Sequence, residues 1–253
     1  HVLGQIRNAH ELSIGMAVAP QLRCIRTNEQ GLRTYDVVYE PTVSAPAKQT
    51  PEFTGYILAL TGPSGVGKSS VRSLMMKMFA DQFTAVPILT TRQRSSQDHN
   101  EYTYVTKEDF LAMKQEGKIV AATHIPSSTD TRWYGYRAQD IEKIWQQGKT
   151  PVVVTEMHLL QELDRHYGRR AILSCGLLPP GKSKRAMLSQ LLNRLRKRGR
   201  DSEQSIQDRI QNAKHDLKFF DEREDLFDHM LVTENLETVV EKLMGHVEKL
   251  QEA

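Results

Sequence analysis

The chain has 253 residues, 34 Lys+Arg against 31 Asp+Glu, and a formal charge of +3. With 39% hydrophobic and 26% charged residues, the composition excludes a collagen-like or wholly disordered chain and fits a globular one. The apolar runs, such as Tyr56–Leu60, are far shorter than the roughly 20 residues of a membrane span. So small a net charge says little about partners. Two cysteines, Cys24 and Cys175, cannot build a disulfide framework, so a reducing cytoplasm is the expected setting.

The first 54 residues read differently from the rest. LRCIRT (22–27) and LRTYDVVYE (32–40) are rich in β-formers and flank NEQG, which predicts a hairpin within a β-rich extension over 1–40. Pro41, Pro46 and Pro51 lie within eleven residues, so 41–53 reads as a linker. No chemical motif precedes residue 55. A homodimer through the hairpin stays open, with nothing in the sequence to favour it.

From 54 to 253 strands and helices alternate. GYILALTG predicts a strand and KSSVRSLMMKMFADQ a helix. Strand-like FTAVPILTT and EYTYV follow, then a helix KEDFLAMKQEG opened by a Thr106–Asp109 cap pattern. KIVAAT reads as a strand, AQDIEKIWQQG as a helix, and PVVVTE and AILSCGLL as buried strands. Helices are expected over 183–198 and 202–219, then strand HMLVT and a terminal helix with Leu236, Val239, Val240, Leu243, Val247 and Leu250 on one face. This α/β alternation predicts a parallel sheet covered on both sides.

GPSGVGKS at 62–69 fits the phosphate-binding pattern G-x-x-x-x-G-K-[ST], placed between a strand and a helix. Gly62, Ser64, Gly65, Val66, Gly67, Lys68, Ser69 and Ser70 then form an ATP phosphate cradle. Its backbone N–H groups and the helix dipole face phosphate oxygens, and Lys68 reaches the β- and γ-phosphates. The Ser69 hydroxyl is the candidate Mg²⁺ ligand. A merely structural glycine turn would not require the Lys-Ser pair.

TTR (90–92), EYTY (101–104), WYGY (133–136) and RLRKRGRDSEQSIQDRI (194–210), in that order behind the cradle, resemble guanylate kinases over about 55–251. The resemblance implies a P-loop kinase with a sheet core, an acceptor-binding region at about 89–136 and a helical lid at about 182–210. It implies that Arg92, with Arg94 in a shifted place next to Ser95, grips an acceptor phosphate, assisted by Tyr102 and Tyr134. It implies lid arginines Arg194, Arg198 and Arg209 over the donor phosphates, with Lys68, Arg92, Arg198 and Arg209 catalytic. Glu156 stands at the second place of a family acid pair whose first place is Val154, and it would orient acceptor hydroxyls or metal-bound water. ATP with Mg²⁺ would be the donor and a nucleoside monophosphate the acceptor.

The chain departs from the family where guanine is read. Ile88, Ala121 and Tyr136 stand at those places, with Thr123 or His124 as substitutes if the longer segment before Tyr134 shifts the register. Groups for phosphate persist while groups for the base are apolar, which predicts another phosphorylated acceptor in place of GMP. Two other readings compete. One is a weakly active or inactive kinase-like docking module. The other is nucleic-acid binding through 181–200, whose eight basic residues stand without an acid but also without aromatics to stack bases.

Overall fold

The computed structural model describes residues 5–6, 18–27, 33–41, 55–94, 101–126, 131–199 and 201–251. It divides into two compact units, His1–Glu52 and Phe53–Ala253. In the first, β2 (Val18–Thr27) and β3 (Arg33–Pro41) pair antiparallel, with an irregularity between Cys24 and Arg26. β1 (Gln5–Ile6) adds to β3 in parallel, giving the order β1-β3-β2. The NEQG turn and most of the proline-rich stretch lie outside the described residues.

Among its described residues the second unit holds two sheets. A five-stranded parallel sheet has the order β12-β11-β4-β10-β5. Its members are β4 (Ile57–Thr61), β5 (Phe83–Ala85), β10 (Thr150–Thr155), β11 (Ile172–Leu178) and β12 (His229–Val232). β4 is wholly buried because α/β crossovers cover both faces, so it reads as an unbroken apolar run. The predicted segment FTAVPILTT splits at Val86-Pro87. Its first half is β5, while β6 (Ile88–Thr90) enters a second, four-stranded sheet of order β7-β6-β9-β8. There β7 (Tyr102–Tyr104) runs parallel to β6, and β8 (Ile119–Pro126) and β9 (Thr131–Arg137) pair antiparallel.

The helices are α1 (Lys68–Met78), α2 (Lys107–Gln115), α3 (Ala138–Gln146), α4 (Met157–Tyr167), α5 (Lys184–Arg198), α6 (Glu203–Glu222) and α7 (Leu236–Gln251). Thr106 caps α2 by accepting from the Asp109 N–H at 3.0 Å. α4 lies beyond the predicted elements; Met157, Leu159, Leu160 and Leu163 are its buried residues. One apolar cluster joins β4 and α4 to Ile88, Ala121 and Tyr136 of the second sheet. Another joins α1, α7 and the other face of the parallel sheet, including Cys175, which is wholly buried. No helix among the described residues is long and apolar enough to cross a membrane.

Candidate active site

The chain leaves β4 and turns through 62–67 into α1, so the glycine loop sits at the carboxyl edge of the sheet, where α/β folds place ligands. Two glycines are required there. A Cβ on Gly62 would stand 2.5 Å from the Leu177 carbonyl oxygen, and Gly67 has φ +112° as it opens α1. Lys68 folds back into the loop and donates to the carbonyls of Gly62 at 2.5 Å and Pro63 at 3.1 Å. Its neighbour Ser69 is exposed in the first turn. Burial pushes the Lys68 ammonium down to about 8, opposed by the negative charges of Asp216 and Glu156 and assisted by Arg209. Asp216 shows the reciprocal effect. Burial and nearby Glu156 lift its carboxyl to about 6, against the pull of Lys68.

Arg209 of α6 donates to the Ser64 hydroxyl at 2.8 Å and pairs with Asp201 at 3.1 Å. Arg194 makes different contacts. It donates to the Val66 carbonyl and the Thr233 hydroxyl, each at 2.9 Å, and to the Thr233 carbonyl at 2.5 Å. That guanidinium ties the glycine loop to the chain entering α7. Arg198 is exposed at the end of α5. Other members of the basic run are engaged within the protein, Arg196 with Glu203 and Lys184 with Asp221, both at 2.6 Å. Both pairs join α5 to α6.

Glu156 follows β10 and caps α4, accepting from the His158 N–H at 3.0 Å and the Leu159 N–H at 2.9 Å. Alongside, the Thr61 and Thr155 hydroxyls share a 2.6 Å hydrogen bond between the two central strands. A carboxylate has about four acceptor sites, so a capping Glu156 still has capacity for another ligand. Mg²⁺ takes one or two protein oxygens beside phosphate oxygens and water, and an exposed hydroxyl such as that of Ser69 is chemically suited to be one of them.

In the second sheet Arg92 lies over the Tyr102 ring, 4.5 Å from its centroid, and donates weakly to the Tyr104 hydroxyl at 3.5 Å. Arg94 lies 5.8 Å from the Tyr104 centroid. The structure thus brings Arg92, Arg94 and Tyr102 together, with Tyr134 half-buried on the neighbouring strand. Burial, with Glu101 beside it, raises the Tyr102 phenol above its ordinary value. Ser95 lies outside the described residues, as do 127–130 of the longer segment before Tyr134.

The places expected to read a base are closed. Ile88 is 6% exposed, Ala121 1% and Tyr136 0%, and all three belong to one apolar cluster. The Tyr136 hydroxyl donates to the Val154 carbonyl at 2.7 Å and accepts the Val154 N–H at 3.0 Å. Burial raises that phenol far above its usual value. Ala121 faces Tyr136 in the β8–β9 register; Thr123 is buried opposite Tyr134, and the His124 ring rests against Trp133.

Sequence reasoning passed over four participants: Arg72, Glu101, Tyr104 and Asp216. Two had a signal in helical spacing. Arg72 follows Lys68 by one turn of α1, and Asp216 follows Arg209 by two turns of α6, so each pair shares a helix face. Tyr104 alternates with Tyr102 along β7, whereas Glu101 opens the same EYTY segment with nothing local to mark its partner.

A glycine loop with its lysine between β4 and α1, faced by an arginine from a later helix, defines a P-loop phosphotransferase. A sequence profile of guanylate kinases matches residues 55–250. Guanylate kinase of Thermotoga maritima is 27% identical over 194 residues, covering 76% of this chain and 86% of that protein. A Synechococcus guanylate kinase is 29% identical over 198 residues, covering 78% and 84%. The crystal structure of guanylate kinase from Anaplasma phagocytophilum superposes with a TM-score of 0.58 at 18% identity, over 79% of this chain and 87% of that one. The chain belongs to the guanylate kinase family, and so to the nucleoside monophosphate kinases.

Proposed function

We propose that the protein transfers the γ-phosphoryl group of Mg·ATP to a phosphomonoester, with recognition resting on the acceptor phosphate more than on a guanine base. An acceptor phosphate oxygen attacks the γ-phosphorus, the bond from that phosphorus to the β,γ-bridging oxygen breaks, and ADP leaves with the bonding pair. Lys68 and Arg209 offset charge on the transferring group, and Arg92 and Arg94 hold the acceptor phosphate. Mg²⁺ at Ser69 would supply further charge neutralisation. Positioning and electrostatics carry this reaction, so no side chain is required as a general base.

The observation that carries the reading is Lys68 within the glycine loop and Arg209 at Ser64 of the same loop. Closure of the base-reading places supports the second half. Ile88 and Ala121 offer no polar atom to a base edge, and the Tyr136 hydroxyl already both donates and accepts. A base edge against such a wall leaves donors unpaired, at about 1–3 kcal/mol each. GMP remains the first acceptor to test, because the curated relatives named above are guanylate kinases.

The test is ADP production from Mg·ATP with GMP, dGMP, AMP, CMP, UMP, IMP and sugar phosphates. Turnover with another phosphomonoester above that with GMP is expected. ATP binding without turnover of any acceptor would favour a docking module instead.

A further inference from the structure

Arg72 is the unusual residue of α1. Its helix neighbours Ser69, Ser70 and Ser73 are exposed, whereas Arg72 is 7% exposed. A buried guanidinium needs a partner, and Arg72 has an ion pair with Glu101, whose side chain is 16% exposed. Glu101 is held at its other end as well, because its backbone carbonyl accepts the Ile88 N–H at 3.0 Å. The next residue is Tyr102, the ring on which Arg92 rests.

These contacts form a continuous path. Lys68 stands one turn before Arg72 on α1; Arg72 holds Glu101; Glu101 precedes Tyr102; Tyr102 carries Arg92. The donor-phosphate lysine and the acceptor-phosphate arginine are therefore referenced to each other through one buried ion pair. In-line transfer needs both phosphates in register, and a displacement of about 1 Å at such a site can cost a hundredfold in rate. We infer that Arg72 is a positioning residue for the acceptor-phosphate site, setting Arg92 through Glu101 and Tyr102. The inference rests on the phosphotransfer reading above in its assignment of Arg92 to the acceptor.

The experiment uses the full chain with its glycine loop filled by non-hydrolysable Mg·AMPPNP, and GMP as the acceptor probe in calorimetric titrations. Arg72→Leu and Glu101→Gln should each weaken GMP binding by about tenfold, while Mg·AMPPNP affinity stays within about twofold. The double variant R72L/E101Q removes both buried charges, so it guards against misfolding of a single variant. It should weaken GMP no more than the worse single change, and Arg72→Lys should restore part of the affinity. Equal losses for the two ligands would mark a merely structural pair and overturn the inference. Additive losses or unchanged GMP affinity in the variants would overturn it too. ADP formation by the parent chain decides the proposed function separately, since the ratio of the two affinities across variants does not depend on turnover.

Discussion

Arg209 reaches from α6 to the Ser64 hydroxyl at 2.8 Å, while Arg194, on the preceding helix, is spent on the Val66 and Thr233 backbone. Two arginines on successive helices therefore have separable tasks. Arg209→Ala should lower kcat by on the order of a hundredfold with little change in melting temperature. Arg194→Ala should instead cost about 2–3 kcal/mol of stability, since it strands buried carbonyls that accept from a charged donor. Paired thermal melts and initial rates check both.

Lys68→Ala should reduce turnover by about a thousandfold or more while leaving the fold intact, because the ammonium is the loop's only side-chain cation for the transferring phosphate. Rates of ADP formation with circular dichroism decide it, and retained turnover would sink the assignment.

Burial lowers the Lys68 pKa to about 8 in the ligand-free protein, below its ordinary value of 10.5. Below pH 8 the lysine is already charged, and phosphate binds it without proton exchange. Above pH 8 binding must take up a proton, so Mg·ATP affinity should fall by up to about tenfold per pH unit. Asp216→Asn removes a negative charge that raises the Lys68 pKa, so the decline should begin at lower pH. Calorimetric titration across pH in buffers of differing ionisation enthalpy reads both effects.

Cys175 is wholly buried, and burial pushes its thiol up to about 12. Its native-state reaction with thiol reagents at neutral pH should be negligible and should appear on unfolding. Peptide mass mapping after brief alkylation checks this at Cys175 itself.

Tyr136→Phe removes both hydrogen bonds to Val154 and should destabilise the protein by about 1–3 kcal/mol. Because that hydroxyl is already committed to the backbone, the order of acceptor preference should not change. Denaturant melts with the acceptor panel test the pair of outcomes.

Much of the second unit was readable because its signals are local. The glycine loop needs eight adjacent residues, and Thr106–Asp109 announces the start of α2 within one turn. α4 was not readable in the same way. β10 passes through Glu156 straight into it, with no glycine or proline to mark the joint, although Met157, Leu160 and Leu163 carry a helical stripe. Arg194 and Arg209 look alike in sequence, and only tertiary contact distinguishes a tie to the Val66 and Thr233 backbone from a contact with the Ser64 hydroxyl. Arg72 and Glu101 lie 29 residues apart, and a lone arginine inside a helix ordinarily reads as surface. Ile88, Ala121 and Tyr136 were recognisable as departures, but the Tyr136–Val154 bridge that closes the place depends on β9 meeting β10 across the two sheets.

The most direct measurement is kcat/KM for Mg·ATP-dependent ADP formation with GMP against each other phosphomonoester of the panel. Turnover is predicted, with at least one acceptor exceeding GMP. No turnover with any acceptor would contradict the phosphotransfer reading. A GMP efficiency equal to or above that of every alternative would contradict the closed base-reading wall of Ile88, Ala121 and Tyr136.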